Sequence, residues 1–534
     1  MLISASVRCV GFVLGALALA GGSAAGAQGQ DPFAPGVRWS AAPTAGVPWI
    51  PTSVEFAAGG ELVFAAGALG SPRWMVFSSA ENSSAPGAAT PWLSASAAPA
   101  TLSNMIVRAG DDGDELFGLC QVPDPDTSHR RTEIARFDVL DPSGMSRLWT
   151  HDMGWRVNGA AKLAVSADGT RALAVVHDAT SQALRIEWLD GASGSVSRRI
   201  DLPAGTLRQI ASSADVGVLA LVAGLELWVF DSNGATRHFE VLGAATQALA
   251  LSGDGSTLLI GAPGLLRVLH WNSTSFVERA RETAPVNEVP VRCALSSDGL
   301  TWGAGWWNST TGREVRLELR GAPGDSLLWQ ELQSAPSTAP QNYPEALCIS
   351  ADGGRAAFGL WGSQDPQAEV LLVDRAQGAV IASLDLPGSV LSLALDPSAT
   401  RLAVGMKHVH ANQFGNTGEV RLFDTGERDL QALAPARLGG ALSVTARRPQ
   451  ARSVWFLYGP RAVQPTVLAG VSGVLWLGRA RMRAVRVSAD AMGRADANLP
   501  LPPLVPGVPY SVQALFRSSA GSSLSQQVLD PLAL

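Results

Sequence analysis

The sequence predicts an all-β fold made of about eight repeated units of four short strands, followed by a smaller β-rich module. A short apolar run that ends in a Ser-x-Asp-Gly turn recurs along the chain, and a second apolar run follows each copy directly. Asp-Gly between two such runs is a strong hairpin signal, because a tight turn requires positive φ angles. No segment keeps a helical period over more than two turns.

The repeat sets the number of units. Its anchors are 39 to 56 residues apart, with weaker copies at Gly59 and Asp112 and clear copies at Asp168, Asp215, Asp254, Asp298, Asp352 and Asp396. A third run that ends in Asp and a fourth, weaker run complete each unit, and four strands per repeat form a β-propeller blade. We therefore expect eight blades, or seven if the Gly59 copy is incomplete. Residues around Gly36 to Trp49 could add a strand to the last blade and so close the ring.

The N-terminus predicts export. Arg8 precedes the apolar stretch 9–20, and Ala25-Gly26-Ala27 provides a small-residue cleavage site. No later run of about 20 apolar residues could span a membrane. We expect a signal peptide at 1–27 and a mature protein that is periplasmic, on the cell surface or secreted. Arginine greatly outnumbers lysine, as in proteins of GC-rich bacteria.

These repeats resemble the degenerate WD-repeat (WD40-like) and YVTN-type blades of exported bacterial proteins, and the resemblance covers roughly residues 50 to 435. It implies a propeller at 28–435. The Asp-Gly anchors stop after that point, and residues 436–534 form a separate unit. Its Trp455-Phe-Leu-Tyr-Gly459 run, Pro-rich stretch 499–508 and tail from Tyr510 resemble a C-terminal module of planctomycete-type secreted proteins. That resemblance implies a compact β-sandwich-like module.

Several classes of function are disfavoured. The net charge of −6 is spread along the chain without a basic block, which argues against a nucleic-acid partner. No nucleophile elbow, Walker loop, His-Glu-x-x-His or Cys-x-x-Cys motif occurs. Cleavage leaves Cys120, Cys293 and Cys348, which we interpret as small buried residues on inner strands, with a Cys293–Cys348 disulfide left open. We assign no catalytic residue, metal or cofactor.

The pair His408 and His410 most resembles a metal site, because a spacing of two on a strand puts both imidazoles on one face. No third ligand is marked in the sequence, so we interpret the pair as the polar end of a strand.

The long loops give the best candidate site. The Asp-Gly turns occupy one side of the disc, and the longer, more varied loops occupy the other, where scaffolds usually carry function. Aromatic and amide side chains there suit a peptide or sugar. The candidate binding residues are Trp306, Trp307, Trp361, Tyr343, Asn287, Glu288, His408 and His410.

The leading hypothesis is an extracytoplasmic binding or scaffold propeller for a protein or glycan partner, engaged through the long-loop face. An enzyme with a site at the central channel, such as a lactonase-like hydrolase or a cofactor-dependent dehydrogenase, is the second hypothesis. A structural envelope protein is the third. The absence of a recognisable catalytic set favours a non-enzymatic role and leaves an enzyme open.

Overall fold

The structure is a computed structural model, and its described residues contain strands and turns but no helix. The expected signal peptide lies outside them. They are 36–41, 49–57, 62–67, 73–78, 87–88, 93–96, 103–109, 115–123, 130–139, 146–156, 161–178, 183–203, 205–321, 324–335, 341–362, 367–396, 399–410, 413, 415, 417–425, 430–432, 441–447, 451–467, 471–472, 474–477, 482–490, 493–500, 510–518 and 521–524.

The first half of the ring contains a leading strand and four blades. The strands in chain order are β1 (Gly36–Ala41), β2 (Pro51–Phe56), β3 (Leu62–Gly67), β4 (Arg73–Ser78), β5 (Gly87–Ala88), β6 (Leu93–Ser96), β7 (Ser103–Ala109), β8 (Glu115–Pro123), β9 (Arg130–Asp138), β10 (Ser146–Arg156), β11 (Ala161–Val165), β12 (Arg171–Asp178), β13 (Ala183–Asp190), β14 (Val196–Leu202), β15 (Leu207–Ser212), β16 (Val218–Ala223), β17 (Glu226–Asp231) and β18 (Thr236–Val241). Blade 1 is β2-β3-β4-β6, and blades 2 to 4 are β7–β10, β11–β14 and β15–β18.

The second half contains four more blades. Its strands are β19 (Ala248–Leu251), β20 (Thr257–Ala262), β21 (Leu265–Trp271), β22 (Phe276–Thr283), β23 (Glu288–Leu295), β24 (Thr301–Asn308), β25 (Glu314–Gly321), β26 (Ser326–Ser334), β27 (Pro344–Ile349), β28 (Arg355–Leu360), β29 (Val370–Asp374), β30 (Ala379–Leu384), β31 (Val390–Leu395), β32 (Arg401–Lys407) and β33 (Gly418–Asp424). Blades 5 to 7 are β19–β22, β23–β26 and β27–β30, and blade 8 is β31-β32-β33-β1 with β5 added in parallel.

The eight sheets form a closed ring. Their inner strands contact one another in the order β2, β7, β11, β15, β19, β23, β27 and β31, and β31 contacts β2 again. The ring closes because β1 pairs antiparallel with β33. Trp39 of β1 is fully buried and its ring lies 5.3 Å from that of Phe77 in blade 1. The all-β propeller fold expected from the repeats is confirmed, and the eight sheets agree with the expected eight blades.

The Ser-x-Asp turns also join neighbouring blades. In blades 3 to 7 the Ser hydroxyl donates to the Asp carboxylate at 2.5–2.7 Å and accepts the amide of the next strand. Backbone bonds then run from turn to turn, including Ala167 N to Ala214 O at 2.7 Å and Ala214 N to Gly253 O at 2.8 Å. In blades 3 to 7 the turn of the repeat is therefore also the contact that links one blade to the next.

The C-terminal residues form two packed sheets. Their strands are β34 (Leu430–Ala432), β35 (Ala441–Arg447), β36 (Ser453–Val467), β37 (Val471–Ser472), β38 (Val474–Leu477), β39 (Arg483–Ser488), β40 (Arg494–Pro500), β41 (Tyr510–Ser518) and β42 (Gly521–Leu524). One sheet is β34-β35-β40, and the other is β37-β42-β41-β36-β38 with β39 on β36. Leu442 and Val444 of the first pack with Phe456 and Phe516 of the second, which makes a sandwich. The first sheet begins at β34, before the boundary expected at 436.

The turn glycine of blade 6 should be hard to replace because a neighbouring blade approaches it closely, although Val216 and Ala399 adopt a similar positive φ in the turns of blades 4 and 8. Gly299 has φ +66°, and a Cβ there would lie 2.5 Å from Thr257 Oγ1 in the preceding blade. Gly224 has φ +60° with open space, and Gly243 has open space without a positive φ. We expect Gly299→Ala to lower the free energy of unfolding by about 2–4 kcal/mol, Gly224→Ala by about 1–2 and Gly243→Ala by less than about 0.5.

Urea denaturation of the three variants, followed by tryptophan fluorescence, measures this order. Equal urea midpoints for Gly299→Ala and Gly224→Ala would contradict this order. They would show that the contact with Thr257 adds no destabilisation beyond that of the positive φ angle.

Candidate functional site

Three half-buried aromatic side chains form a row on the long-loop end of blades 6 and 7. Trp307 is the second-last residue of β24, Tyr343 precedes β27 and Trp361 follows β28. The ring centroids of Trp307 and Tyr343 are 5.4 Å apart, and those of Tyr343 and Trp361 are 4.9 Å apart. The indole N–H of Trp307 has no hydrogen-bond partner among the described residues. That N–H is buried, so this aromatic row (Trp307, Tyr343 and Trp361) offers partly exposed ring surface but not an accessible indole donor at Trp307.

Charged side chains surround the aromatic row. Arg292 of the inner strand β23 lies over the Tyr343 ring at 5.9 Å and pairs with Glu345 of β27. Trp361 donates its indole N–H to Glu345 at 3.1 Å. Lys407, at the end of β32 in blade 8, lies 5.8 Å from the Trp361 centroid. The row therefore connects three blades and combines apolar surface with two cations and one carboxylate, which suits a polar partner that also has an apolar part.

The adjacent residues Trp306 and Trp307 face opposite sides of blade 6. Side chains alternate along a strand, so Trp307 points towards blade 7 and Trp306 towards blade 5. Trp306 is fully buried and donates to Glu318 at 2.5 Å. Replacing it with alanine would cost about 3–5 kcal/mol of folding free energy. Trp306 supports the blade interior, and Trp307 alone of the two belongs to the aromatic row.

Asn287 and Glu288 lie on the Trp306 side of blade 6. The Asn287 amide donates to Asn308 Oδ1 at 3.1 Å, and the Asn287 carbonyl accepts the amide of Ser309 at 2.8 Å. Glu288 pairs with Arg316 at 3.1 Å. These two residues therefore hold the turn after β24 and the cleft between blades 5 and 6, away from the aromatic row.

The two histidines do not face a common ligand position. The strand β32 ends at Lys407, so the alternation expected for a strand does not extend to 408–410. His408 Nε2 lies 3.7 Å from Glu419, and His410 Nδ1 lies 3.6 Å from Glu369. Within the described part of the chain, no group of three His, Cys, Asp or Glu side chains could hold a metal ion.

His410 connects a buried carboxylate to the aromatic row. Its Nδ1 lies 3.3 Å from the carbonyl oxygen of Trp361, which also accepts the Ser389 hydroxyl at 2.7 Å. Glu369 is completely buried, and its Oε1 has no hydrogen-bond partner among the described residues. Burial raises the pKa of Glu369 to about 7. His410 therefore links the backbone carbonyl of Trp361, in the aromatic row, to a buried carboxyl group whose pKa is raised to about 7.

No family model and no curated protein matches the chain. Two solved structures resemble it, each with a TM-score of 0.51 over 73% of this chain. The C-terminal WD40 domain of Sif2 is 12% identical over 98% of its length. Chaetomium thermophilum Sqt1, bound to the N-terminus of the ribosomal protein L10, is 14% identical over all of its length. The fold is that of a WD40 β-propeller.

The inner strands of this WD40 propeller carry charges into its centre. Arg108 of blade 2 pairs with Glu55 of blade 1 at 3.5 Å, and burial raises the pKa of Glu55. Burial lowers the pKa of Lys162 in blade 3, and the charges of Arg292 and Arg108 lower it further. These groups, together with Arg292 and Glu345 on the inner strands β23 and β27, are charged groups that the channel of the enzyme hypothesis could use.

The described cysteines are free thiols. Cys293 and Cys348 lie on the neighbouring inner strands β23 and β27, and burial raises the pKa of each thiol to about 12. Cys293 and Cys348 are half-buried, whereas Cys120 is buried but lies on the second strand of its blade, β8, rather than on the inner strand we expected. No helix long and apolar enough to cross a membrane occurs in the described residues.

Sequence reasoning missed the charged members of the site, which are Arg292, Glu345, Glu369 and Lys407. A signal was present for two of them, because Arg292 and Glu345 are charged residues within apolar inner strands, where a charge requires a partner. Nothing in the sequence showed that these two, from different blades, pair with each other.

The titration of Glu369 predicts a pH effect on stability. Its pKa is raised from 4.5 to about 7, so the folded state favours the protonated acid, and this contribution is lost as the pH rises from 4.5 through 7. We expect Glu369→Gln to raise the free energy of unfolding by about 1–3 kcal/mol at pH 8.5 relative to its effect at pH 4.5. Urea denaturation at the two pH values measures the difference, and an equal effect at both would contradict the assignment.

Proposed function

We propose that this chain is an extracytoplasmic binding or scaffold propeller, and that it holds a protein partner through the aromatic row on the long-loop end of blades 6 to 8. The main support for this proposal is the aromatic row, whose half-buried rings have centroids 4.9–5.4 Å apart. Arg292, Glu345 and Lys407 lie around these rings. Partly exposed aromatic and arginine side chains are the residue types that dominate binding energy at protein interfaces.

A peptide segment fits this surface better than a large flat partner. The row crosses from blade 6 to blade 7 and ends against Lys407 of blade 8, so its length is that of a short extended segment. The rings supply apolar contact, and the charged groups of Arg292 and Lys407 beside them can pair with polar groups of a peptide. The Sqt1 structure, which contains the N-terminus of another protein, supports a protein partner for a propeller of this kind. A glycan remains the second ligand class, because stacked rings beside polar groups also suit sugars.

The proposal of export rests on the N-terminal sequence. Arg8, the apolar stretch 9–20 and the Ala25–Ala27 site give the chain the three parts of a signal peptide. Signal cleavage after Ala27 in the bacterial host, read by mass spectrometry of the mature N-terminus, tests it.

The binding role predicts a specific loss in one variant. Trp361→Leu removes the ring at the centre of the charged groups, and we expect partner binding to weaken at least about tenfold, the effect of a typical hot-spot residue. Trp228→Leu is the matched control, because Trp228 is also half-buried but lies on blade 4.

The experiment is affinity capture from envelope extract with mature chain from Gln28, followed by titration of the captured partner against each variant. Melting curves check that both variants are folded. Equal binding by wild type, Trp361→Leu and Trp228→Leu would exclude the aromatic row. Failure to capture any partner, together with activity of the wild type on small esters or lactones, would favour the channel enzyme instead.

A further inference from the structure

A second surface lies in the cleft between blades 5 and 6, on the other side of blade 6 from the aromatic row. A cavity of about 340 Å³ opens at the long-loop end of this cleft. Its lining includes Glu288, Trp306, Asn308, Glu314, Arg316 and Leu332.

The strand register explains why these side chains meet. Trp306, Arg316 and Leu332 lie opposite one another across β24, β25 and β26. Asn308 and Glu314 lie two residues further along their strands and therefore share the same face. That face looks towards blade 5, since Trp306 packs with Leu259, Leu266 and Val268.

The cleft exposes apolar side chains. Leu332 is 70% exposed, and Val286, in the link from blade 5 to blade 6, is 76% exposed. Among the large hydrophobic residues that the structure describes, these two are the most exposed. Of the two, Leu332 lines the cavity, and an exposed apolar group at the mouth of a cavity indicates a contact surface.

The cleft also carries excess negative charge. Arg316 lies 4.2 Å above the Trp306 ring and is held by Glu288 at 3.1 Å, Glu318 at 3.4 Å and Glu282 at 3.6 Å. Arg320 pairs with the same Glu282 and Glu318. The two guanidinium groups of Arg316 and Arg320 therefore pair with three carboxylates, which leaves one negative charge in excess.

Glu314 at the rim adds a fourth carboxylate. It accepts one amide hydrogen bond, from Asn308 at 2.7 Å, and has no cationic partner among the described residues. Its side chain is exposed at the mouth of the cavity, so it can pair with a cation from outside.

We propose that this cleft binds an arginine or lysine side chain next to an apolar residue in a protein partner. The incoming cation pairs with Glu314, and its methylene stem and the neighbouring apolar residue lie on Leu332. Arg316 already shows how the cleft holds a guanidinium group, between an indole ring and carboxylates. This site is independent of the aromatic row, because Trp306 and Trp307 face opposite sides of the blade.

The test uses the mature chain and a fluorescein-labelled peptide, Gly-Leu-Arg-Leu-Gly, beside the same peptide with citrulline in place of arginine. Fluorescence anisotropy at low and high salt gives the affinities. We expect the arginine peptide to bind at least about fivefold more tightly than the citrulline peptide, and to weaken with salt. Glu314→Gln should remove that preference, and Leu332→Ser should weaken both peptides.

Glu331→Gln is the matched control. Glu331 precedes Leu332 on β26, so its side chain points to the opposite face, and the substitution removes the same charge. We expect it to leave the affinity unchanged within about twofold. An equal loss in Glu331→Gln and Glu314→Gln would show general attraction to an acidic protein and overturn the proposal. So would equal affinity for the two peptides, or no binding of either.

A further variant separates this proposal from the proposed function. Trp361→Leu should bind the arginine peptide as the wild type does, because the aromatic row lies beyond the other face of blade 6. Loss of peptide binding in Trp361→Leu would place the cation on the aromatic row and not in the cleft.

Discussion

Closure of the ring is the constraint on which the rest of the structure depends. Four-stranded blades bury their faces only against neighbouring blades, so a ring with a gap would expose two apolar faces. The chain closes the gap by pairing β1, from its beginning, with β33 of the last blade. Turn-to-turn backbone bonds such as Asp254 N to Ser297 O, at 3.0 Å, add a second set of links at the Asp-Gly end of the disc. Because these links lie at the Asp-Gly end, the loops at the opposite end of the disc can differ in length and sequence without breaking them.

This division explains the position of both candidate surfaces. Each lies at the end of the disc that the repeat does not occupy. The aromatic row combines residues from blades 6 and 7, and the cavity is lined by residues of blade 6 on the face towards blade 5. The alternation of side chains along β24 sends Trp306 to one inter-blade cleft and Trp307 to the next. One strand therefore contributes to two surfaces of different character. Arg292 and Lys407 lie beside the aromatic row, whereas the cleft between blades 5 and 6 has an excess of carboxylates.

The sequence predicted the fold well and the site only in part. The Ser-x-Asp-Gly period specifies strands and turns locally, and residues around Gly36 to Trp49 could add a strand to the last blade because a closed ring has no exposed edges. The pairs Arg292 with Glu345 and His410 with Glu369 join consecutive blades. The two residues of each pair are far apart along the chain, so no local sequence pattern reveals them. The tryptophan pair was chosen because it was expected in a long loop, but it lies in β24, and only the strand register separates Trp306, a buried residue, from Trp307.

The measurement that tests ring closure most directly is amide hydrogen exchange in Trp39→Ala. Trp39 lies on β1 of the last blade and packs on Phe77 of the first, so its loss should open the ring. If β1 closes the ring, we expect faster amide exchange in β2–β4 of blade 1 as well as in β31–β33 of blade 8. Exchange in β15–β18, across the ring, should be unchanged. Faster exchange confined to β1 and β33 would contradict it, because β1 would then be an addition to one blade and not the closure of the ring.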